Sequence, residues 1–265
     1  IPASGAATRM FRTLTRYLDL QTGQRADMQK SELDQVEIFF QALKDHKFAL
    51  EVPLADRLKS DGSSINRLLS GKDRVTVLRM LLTEEGLNYA AMPKGLVKFH
   101  KYETGQVYSA FLEHIREAVS FGSGIPDLHF TIPAGTREEF EEDREAYARQ
   151  GGDMVPVEYS CQQESTDTLA LDSEGDLLRD NEGFPVLRPG GHGALIKNLD
   201  DLAADIVLIR NIDNVPRAEY HGRQVYFHKV LAGILLDLQN RIHNYLKKLE
   251  ESGLSGDTAA EGIDF

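Results

Sequence analysis

From residue 93 onward, short apolar segments alternate with amphipathic ones, and this alternation restricts the possible folds more than any other feature. The short segments are typical of strands and lie at residues 96–100, 127–132, 155–161 and 168–171. The periodic segments between them predict helices at residues 108–121 and 136–149. Alternating strands and helices form a mostly parallel sheet covered on both faces. We therefore expect an α/β fold.

Residues 205–212 form the most apolar of the predicted strands. Their sequence, Asp-Ile-Val-Leu-Ile-Arg-Asn-Ile, is a nearly continuous run of β-branched and aliphatic side chains. Such a run is typical of a strand that is buried on both faces. We therefore predict that residues 205–212 are a central strand, with Asp213 at its carboxyl end.

An almost wholly helical block over residues 21–92 interrupts the alternation. Residues 31–47 begin with Ser-Glu-Leu-Asp and carry apolar side chains at helical spacing. Two more helical pieces are predicted within residues 65–87, and residues 8–20 predict a helix before the block. We interpret the block as a helical insertion in a single domain that spans residues 1–265.

A long helix is predicted near the carboxyl terminus, over residues 226–250 within a segment of 224–251. Its apolar residues alternate spacings of four and three, which gives a heptad seam; they are Leu231, Leu235, Leu238, Ile242, Tyr245 and Leu249. The favoured interpretation is that this seam packs on the core or on a neighbouring helix. The alternative is a homo-oligomer contact.

The composition restricts the partners and the compartment. The 265 residues carry a formal charge of −12, which argues against general nucleic-acid binding and against an anionic membrane surface. The one cysteine, Cys161, cannot form an intramolecular disulfide or a thiolate zinc site, so we expect a reducing, cytoplasmic location. No apolar run approaches the roughly 18 residues of a membrane span.

The first motif that could carry chemistry is a run of small residues, 3–7, followed by Thr8 and Arg9 at the start of a helix. Small side chains let a backbone approach a ligand closely, and the free N–H groups of a helix start suit phosphate. Arg9 adds a forked positive charge. The alternative is a tight strand-to-helix turn with no ligand.

Two charged residues lie at turns that suit a phosphate ligand. Lys94 stands between Pro93 and Gly95, and it could contact phosphate as a point charge. Asp213, after the predicted central strand, could hold Mg²⁺ against ligand phosphates. A surface lysine and a turn aspartate are the respective alternatives.

Two further segments could contact a base or a sugar. Residues 188–194 surround His192 with three glycines, and such a loop can lie flat against a planar ligand. A metal-ligand role for His192 is disfavoured, because no second ligand stands at a suitable spacing. Gln162, at the end of a predicted strand, offers an amide donor and acceptor to a base such as uracil.

Taken in order, these motifs resemble those of the sugar-phosphate nucleotidyltransferases. Residues 4–10, Ser-Gly-Ala-Ala-Thr-Arg-Met, are similar to that family's Gly-Gly-x-Gly-Thr-Arg-Leu/Met loop. Pro93-Lys94, Gln162, the Pro-Gly-Gly-His-Gly run at 189–193 and Asp213-Asn214 resemble its uridylyltransferase branch. Over residues 1 to about 250, the chain also resembles an uncharacterised bacterial family that is a domain of unknown function.

The resemblance implies a three-layer α/β/α fold of the type shared with GT-A glycosyltransferases, and it implies a reaction. A nucleoside triphosphate, with UTP favoured, would react with a sugar 1-phosphate and release pyrophosphate. The implied catalytic residues are Arg9 and Lys94, and Asp213 would hold Mg²⁺ as the cofactor. The implied nucleotide-binding residues are Ser4, Gly5, Ala6, Ala7, Thr8, Gln162, Gly191, His192 and Gly193.

The sequence departs from the family pattern in two ways. Ser4 and Ala7 replace loop glycines, which places activity in question more than fold. Only Ile1 and Pro2 precede the loop where the family has a strand, so we expect the chain to be part of a longer protein. The rival interpretations are a glycosyltransferase of the same fold, a non-catalytic nucleotide-binding module, and a structural domain whose helical block binds a protein.

Overall fold

A computed structural model describes residues 1–20, 24–172 and 174–252. Five helices pack together in the first third of the chain: α1 (Thr8–Asp19), α2 (Lys30–Lys44), α3 (Glu51–Ser60), α4 (Ile65–Ser70) and α5 (Arg74–Leu82). The side chains of Ser64 and Asp73 accept hydrogen bonds from the backbones of Arg67 and Thr76, which fixes the starts of α4 and α5. The helices predicted in this block are therefore present.

These helices enclose a cluster of buried apolar side chains, here called the helical core. Its members include Ala7, Phe11, Val36, Phe40, Leu43, Leu54, Leu78 and Leu81. Leu43, Leu54, Leu78 and Leu81 are fully buried. Each helix is short, so its stability comes from this shared apolar face rather than from helix propensity.

A small parallel sheet lies beside the helical core. Strand β3 (Leu128–Ile132) pairs in parallel with β4 (Val157–Cys161), with Phe130 opposite Tyr159. Residues 1–3 extend the sheet on the other edge of β3, where Pro2 forms a parallel bridge with Thr131. The backbone N–H of Ala3 donates to Thr131 O at 2.7 Å. Three parallel segments therefore lie in the order 1–3, β3, β4.

Helices α6 (Ala110–Val119) and α7 (Arg137–Arg149) pack with this sheet to form a second cluster, here called the strand core. Its members include Ala3, Phe111, Phe130, Ile132, Phe140 and Ile212. The ring of Phe111 meets those of Phe130 and Phe140 edge to face, at centroid distances of 4.8 and 5.1 Å. This is a favoured aromatic geometry.

The remaining described strands pair in antiparallel fashion. Strand β1 (Lys98–Lys101) pairs with β2 (Val107–Ser109), and β5 (Thr168–Leu169) pairs with β6 (Leu187–Arg188). The described part of the chain is thus a mixed α/β structure rich in helix, with short parallel and antiparallel pairs. The expected mostly parallel sheet is reduced to the three segments around β3.

The prediction of a central strand at residues 205–212 is wrong. Among the described residues, these eight make a single backbone–backbone hydrogen bond, from Asn214 N–H to Asn211 O. Val207, Leu208 and Ile209 are 39%, 39% and 62% exposed. An apolar run becomes a strand only when a neighbouring backbone pairs with it, and here no described segment does so.

The long carboxyl-terminal helix is present as α9 (His221–Ser252), after the short helix α8 (Ile196–Asp200). Only its first turns pack, with His221 and Val225 buried and Lys229 Nζ donating to Phe121 O at 3.0 Å. The seam residues Leu231 and Leu235 are 60% and 48% exposed, so the favoured prediction that the seam packs on the core is wrong. None of the described helices combines the length and the hydropathy that a membrane crossing requires.

Candidate functional site

The carboxyl ends of the three parallel segments meet at one edge of the sheet. They end at Ala3, Ile132 and Cys161, and two of the predicted motifs follow directly, at Ser4 and at Gln162. Ligands in open α/β sheets bind outside this edge. The sequence motifs therefore begin at the place where an α/β fold most often binds its ligand.

The loop at residues 4–7 joins the two cores. Ala3 is fully buried in the strand core and Ala7 is fully buried in the helical core, while Gly5 and Ala6 are exposed. Small side chains are needed at both ends, because each end enters packed apolar surroundings. Ala7 has φ of −73°, so alanine at this position carries no backbone strain. The loop therefore does not require a glycine at position 7.

Backbone hydrogen bonds hold this loop against residues 92–94. Ala6 and Pro93 form an antiparallel bridge. Ala7 N–H donates to Met92 O at 2.9 Å, and Lys94 N–H donates to Gly5 O at 3.0 Å. The loop and Lys94, far apart in sequence, are therefore fixed side by side.

The first turn of α1 follows the loop without a side-chain cap. Ala7 at the N-cap has no capping oxygen, the turn contains no acidic residue, and the Thr8 hydroxyl donates to Ala90 O at 3.1 Å. Arg9 is exposed, and it has no ion-pair partner among the described residues. The positive end of the helix and the Arg9 guanidinium thus lie together at the surface, an arrangement that favours an anion.

Gly95 explains how Lys94 reaches Asp213. A Cβ at Gly95 would lie 2.8 Å from Phe140 Cε1 and 3.5 Å from Ile212 Cγ1, so only glycine permits this close packing. The contact places the Pro93 turn beside residues 212–213. As a result, Lys94 Nζ lies 2.9 Å from Asp213 Oδ2, with side chains 24% and 40% exposed. The two predicted residues form an ion pair, although the strand predicted before Asp213 is missing.

The predicted base-reading residues form a second group at the end of β4. Gln162 Nε2 donates to Asp167 Oδ1 at 3.3 Å, and neighbouring Gln163 donates to Asp201 Oδ2 at 3.0 Å. Gly191 and Gly193 have open space around them, whereas Gly190 packs closely on Thr166 O. The side chain of His192 lies outside what the structure describes. A short helical turn at His192–Leu195 leads directly into α8.

The two groups are separated by the width of the sheet. Residues 1–3 and β4 flank β3, so their carboxyl ends are about 10 Å apart at the usual strand spacing. Lys94 pairs with Asp213, whereas Gln162 donates to Asp167. A ligand that contacts both groups must therefore span the edge of the sheet.

The implied magnesium site rests on one carboxylate. The described residues contain no group of three or more His, Cys, Asp or Glu side chains that could hold a metal. Mg²⁺ commonly takes one or two carboxylates together with substrate phosphates and water, so Asp213 fits as one shared ligand. The Lys94 ammonium group would have to leave Asp213 Oδ2 for a metal to bind there.

Sequence reasoning missed a buried ionic network between α6 and the chain near residues 210–228. Arg210 Nη1 donates to Glu117 Oε1 at 2.7 Å and lies 2.9 Å from His228 Nε2. His114 Nε2 lies 3.2 Å from Ile212 O. Burial, and then the charge of Arg210, lowers the pKa of His114 to about 3. The sequence signal that could have indicated this network is the presence of glutamate and histidine, at helical spacing, on an otherwise apolar face of α6.

A serine, a histidine and a glutamate also meet across β3 and β4. His129 Nε2 lies 2.8 Å from Ser160 Oγ, and Glu158 Oε2 lies 3.7 Å from His129 Nδ1. Ser160 Oγ also receives a hydrogen bond from Asn198 Nδ2 at 2.9 Å, and Glu158 is 80% exposed. The hydroxyl is thus held by several partners and the carboxylate does not hydrogen-bond to the ring. These three side chains link β3 and β4, and they do not have the alignment that a catalytic serine, its histidine base and an orienting carboxylate require.

The family of the chain is shown by sequence comparison. A family model described as a domain of unknown function, DUF4301, matches residues 1–265, and the chain belongs to this family. No curated protein and no solved structure matches the chain.

Proposed function

We propose that this protein is a nucleotidyltransferase that joins a nucleoside triphosphate, with UTP favoured, to a sugar 1-phosphate and releases pyrophosphate. The supporting observation is the convergence of three separate motifs. The loop at residues 4–8, Lys94 and Asp213 lie at one edge of the sheet, linked by the Lys94 N–H to Gly5 O bond and by the Lys94–Asp213 pair. The proposal includes a three-layer α/β/α fold of the GT-A type.

The reaction requires charge neutralisation more than acid–base chemistry. A phosphate oxygen of the sugar 1-phosphate attacks the α-phosphorus of the triphosphate. The new P–O bond forms as the bond to the bridging α–β oxygen breaks, and pyrophosphate leaves with that electron pair. A phosphate oxygen is already a competent nucleophile, so positioning and electrostatic stabilisation supply the catalysis.

The residues of the loop and its neighbours have distinct roles in this proposal. The backbone N–H groups around Ser4, Gly5, Ala6, Ala7 and Thr8 hold the triphosphate. Arg9, exposed at the helix start, stabilises the leaving pyrophosphate. Lys94 leaves Asp213 and contacts the sugar phosphate or the α-phosphate. Asp213 would hold Mg²⁺, which when bound would neutralise phosphate charge.

The base occupies the second group of residues. Gln162 presents its amide to the base edge, and the open backbone at Gly191, His192 and Gly193 lies against the base. The separation of about 10 Å between the two groups requires the nucleotide to lie across β3. The preference for uracil rests on the amide's paired donor and acceptor.

Pyrophosphate release tests this function directly. Purified protein is mixed with Mg²⁺, each nucleoside triphosphate and a panel of hexose 1-phosphates, and pyrophosphate is measured with time. Arg9→Ala should lower turnover by about 10²–10³, the usual effect of removing a donor that stabilises transition-state charge. Arg12→Ala is the matched control, because it removes an exposed arginine from the next turn of α1. Equal turnover in wild type and Arg9→Ala would remove Arg9 from the mechanism.

A second candidate function is a non-catalytic nucleotide-binding module. The observation that favours it is the Lys94–Asp213 ion pair, because it occupies the two charged groups that turnover requires. Tight nucleotide binding without pyrophosphate release over hours would support this candidate. Rapid release with UTP and one sugar phosphate would exclude it.

The exposed seam of α9 supports a further proposal, self-association of the chain. Sedimentation of wild type and of Leu231→Glu/Leu238→Glu protein tests it. A wild-type dimer that the variant loses is the expected result, and a wild-type monomer at high concentration would contradict it.

A further inference from the structure

The turn between β3 and α7 brings Arg137 to the edge of the sheet at which the candidate site lies. Strand β3 ends at Ile132 and α7 begins at Arg137, so only residues 133–136 separate them. Gly135 has φ of +81°, a left-handed conformation that glycine adopts without strain, and the chain reverses there within a few residues. Arg137 therefore lies near the carboxyl end of the middle one of the three parallel segments.

Aromatic packing fixes the position of the Arg137 guanidinium group. Phe140, one turn further along α7, packs on Gly95 beside Lys94, and its ring centroid lies 6.2 Å from that of Tyr159 on β4. Arg137 Cζ lies 5.4 Å from the centroid of the same Tyr159 ring, a distance at which a cation is attracted to an aromatic face. The guanidinium group is therefore held between the Lys94 turn and the end of β4.

The hydrogen-bond donors of Arg137 are not used within the protein. The side chain is exposed, and it makes no hydrogen bond or ion pair among the described residues. Arg144 and Arg149, the other arginines of α7, each pair with a glutamate three or four residues earlier. Glu138 and Glu139 follow Arg137 directly, but side chains one or two positions apart do not face each other on a helix. The planar fork of Arg137 is thus available to a phosphate group.

We propose that Arg137 binds the α-phosphate of the nucleotide, an assignment that rests on the proposed nucleotide site. In that site the nucleotide lies across β3, with the base at Gln162 and the triphosphate at residues 4–8. The part that connects them, the ribose with its α-phosphate, then passes over the end of β3, where Arg137 is the nearest cation to follow in the chain. Because the α-phosphorus is the atom attacked, Arg137 both positions it and stabilises charge on its oxygens.

Binding of uridine, UMP and UTP, measured by calorimetry in the presence of Mg²⁺, tests this assignment. Uridine has no phosphate, UMP has only the α-phosphate, and UTP also has the two phosphates that leave. Arg137→Gln should weaken UMP and UTP at least about tenfold each, as loss of a charge-assisted hydrogen bond usually does, and should leave uridine unchanged. Arg9→Ala should weaken UTP and leave UMP unchanged, since Arg9 contacts the leaving pyrophosphate.

Two further variants separate a specific contact from an effect of net charge. Arg149→Gln makes the same change in charge at the exposed far end of α7 and should bind all three ligands as wild type does. Arg137→Lys keeps the charge and should recover part of the affinity for UMP. Both positions are exposed, so the variants should fold, which circular dichroism checks.

The assignment is overturned if Arg137→Gln binds UMP as tightly as wild type, if it weakens uridine and UMP by the same factor, or if Arg149→Gln weakens UMP equally. Wild type that binds none of the three ligands would overturn the assignment together with the proposed function. The expected pattern of affinities without pyrophosphate release would support the assignment and contradict only the transferase activity.

Discussion

The helical core and the strand core differ in what they bury. In the helical block, Glu51 is the one buried charged residue among those described, whereas the strand core and its surroundings bury Glu113, His114, Glu117 and His221. Apolar burial is non-directional and tolerates volume-conserving exchange. Buried charge is costly unless every partner is in place, so it fixes specific geometry. The strand core, which contains Leu96 and Ile212, accordingly positions the Lys94–Asp213 pair of the candidate site.

The small-residue loop shows how the two cores cooperate. Ala3 lies in the strand core and Ala7 in the helical core, so packing on both sides holds the exposed backbone of Gly5 and Ala6 between them. A site that must be held within a fraction of an ångström benefits from support by rigid elements. The helical core therefore contributes to the candidate site by packing against Ala7 and through α1, whose first turn carries Arg9.

The largest effect should follow from removing Glu113 from the strand core. Its Oε1 accepts from Tyr102 at 2.8 Å and lies 3.1 Å from His100 Nδ1, and its Oε2 lies 3.0 Å from Arg116. Glu113 is fully buried, so Glu113→Ala removes the shared acceptor of these partly buried groups and should lower the free energy of unfolding by about 3–5 kcal/mol. Urea denaturation measures the change. A loss in the free energy of unfolding below about 1 kcal/mol would show that the contacts of Glu113 are not needed for stability. The two cores would then not differ in their dependence on buried charge.

In the helical core, the matched change is Leu81→Ala. Leu81 is fully buried, so truncation should cost about 2–5 kcal/mol, while Leu81→Met should cost less than about 1.5 kcal/mol. The same denaturation experiment checks both values. If Leu81→Met lowered the free energy of unfolding as much as Leu81→Ala, the helical core would depend on specific side-chain geometry as strongly as the strand core does.

The third prediction concerns pH. Burial lowers the pKa of His114 to about 3, from an ordinary value of 6.5 in the unfolded chain. The folded protein therefore binds fewer protons between these values, so the stability linked to neutral His114 is complete above pH 6.5 and is lost as the pH falls toward 3. His114→Gln should reduce the slope of stability against pH by up to about 1.4 kcal/mol per unit in this window. His243→Gln, on the exposed part of α9, is the control and should leave the slope unchanged.

The smallest effect is expected at the surface of the helical block. Arg57 and Asp61 form an exposed i,i+4 pair on α3, with a separation of 2.6 Å. Asp61→Asn should cost about 0.3–0.5 kcal/mol, because solvent and salt screen exposed pairs. Chemical denaturation at low and high salt measures this value. A cost above about 2 kcal/mol would contradict the view that this block is held by apolar packing.

Local sequence patterns predicted the helices and the parallel pair well. Helical spacing identified α1, α2, α6, α7 and α9, and apolar runs identified β3 and β4, because each pattern reports a face that the element itself buries. The pattern at residues 205–212 failed for a different reason. A strand requires a pairing partner, and the sequence of the run contains no information about that partner.

The candidate site was predictable only in part. The motifs indicated Lys94 and Asp213 separately, but their ion pair depends on Gly95 packing against Phe140 and Ile212, which local sequence does not show. The exposure of the α9 seam was likewise unpredictable, because a heptad pattern does not state which surface covers it. The buried network around Glu117 was missed, because glutamate on a helix is usually exposed.

The most direct test of the central claim is the thermal stability of the protein with Mg²⁺ and each nucleoside triphosphate, with Arg9→Ala measured alongside. A ligand at 100 times its dissociation constant should stabilise the native state by about 2.7 kcal/mol. We predict a selective rise in Tm with UTP in wild type and a smaller rise in Arg9→Ala. No rise with any nucleotide, or an equal rise in both proteins, would contradict a triphosphate site at the start of α1.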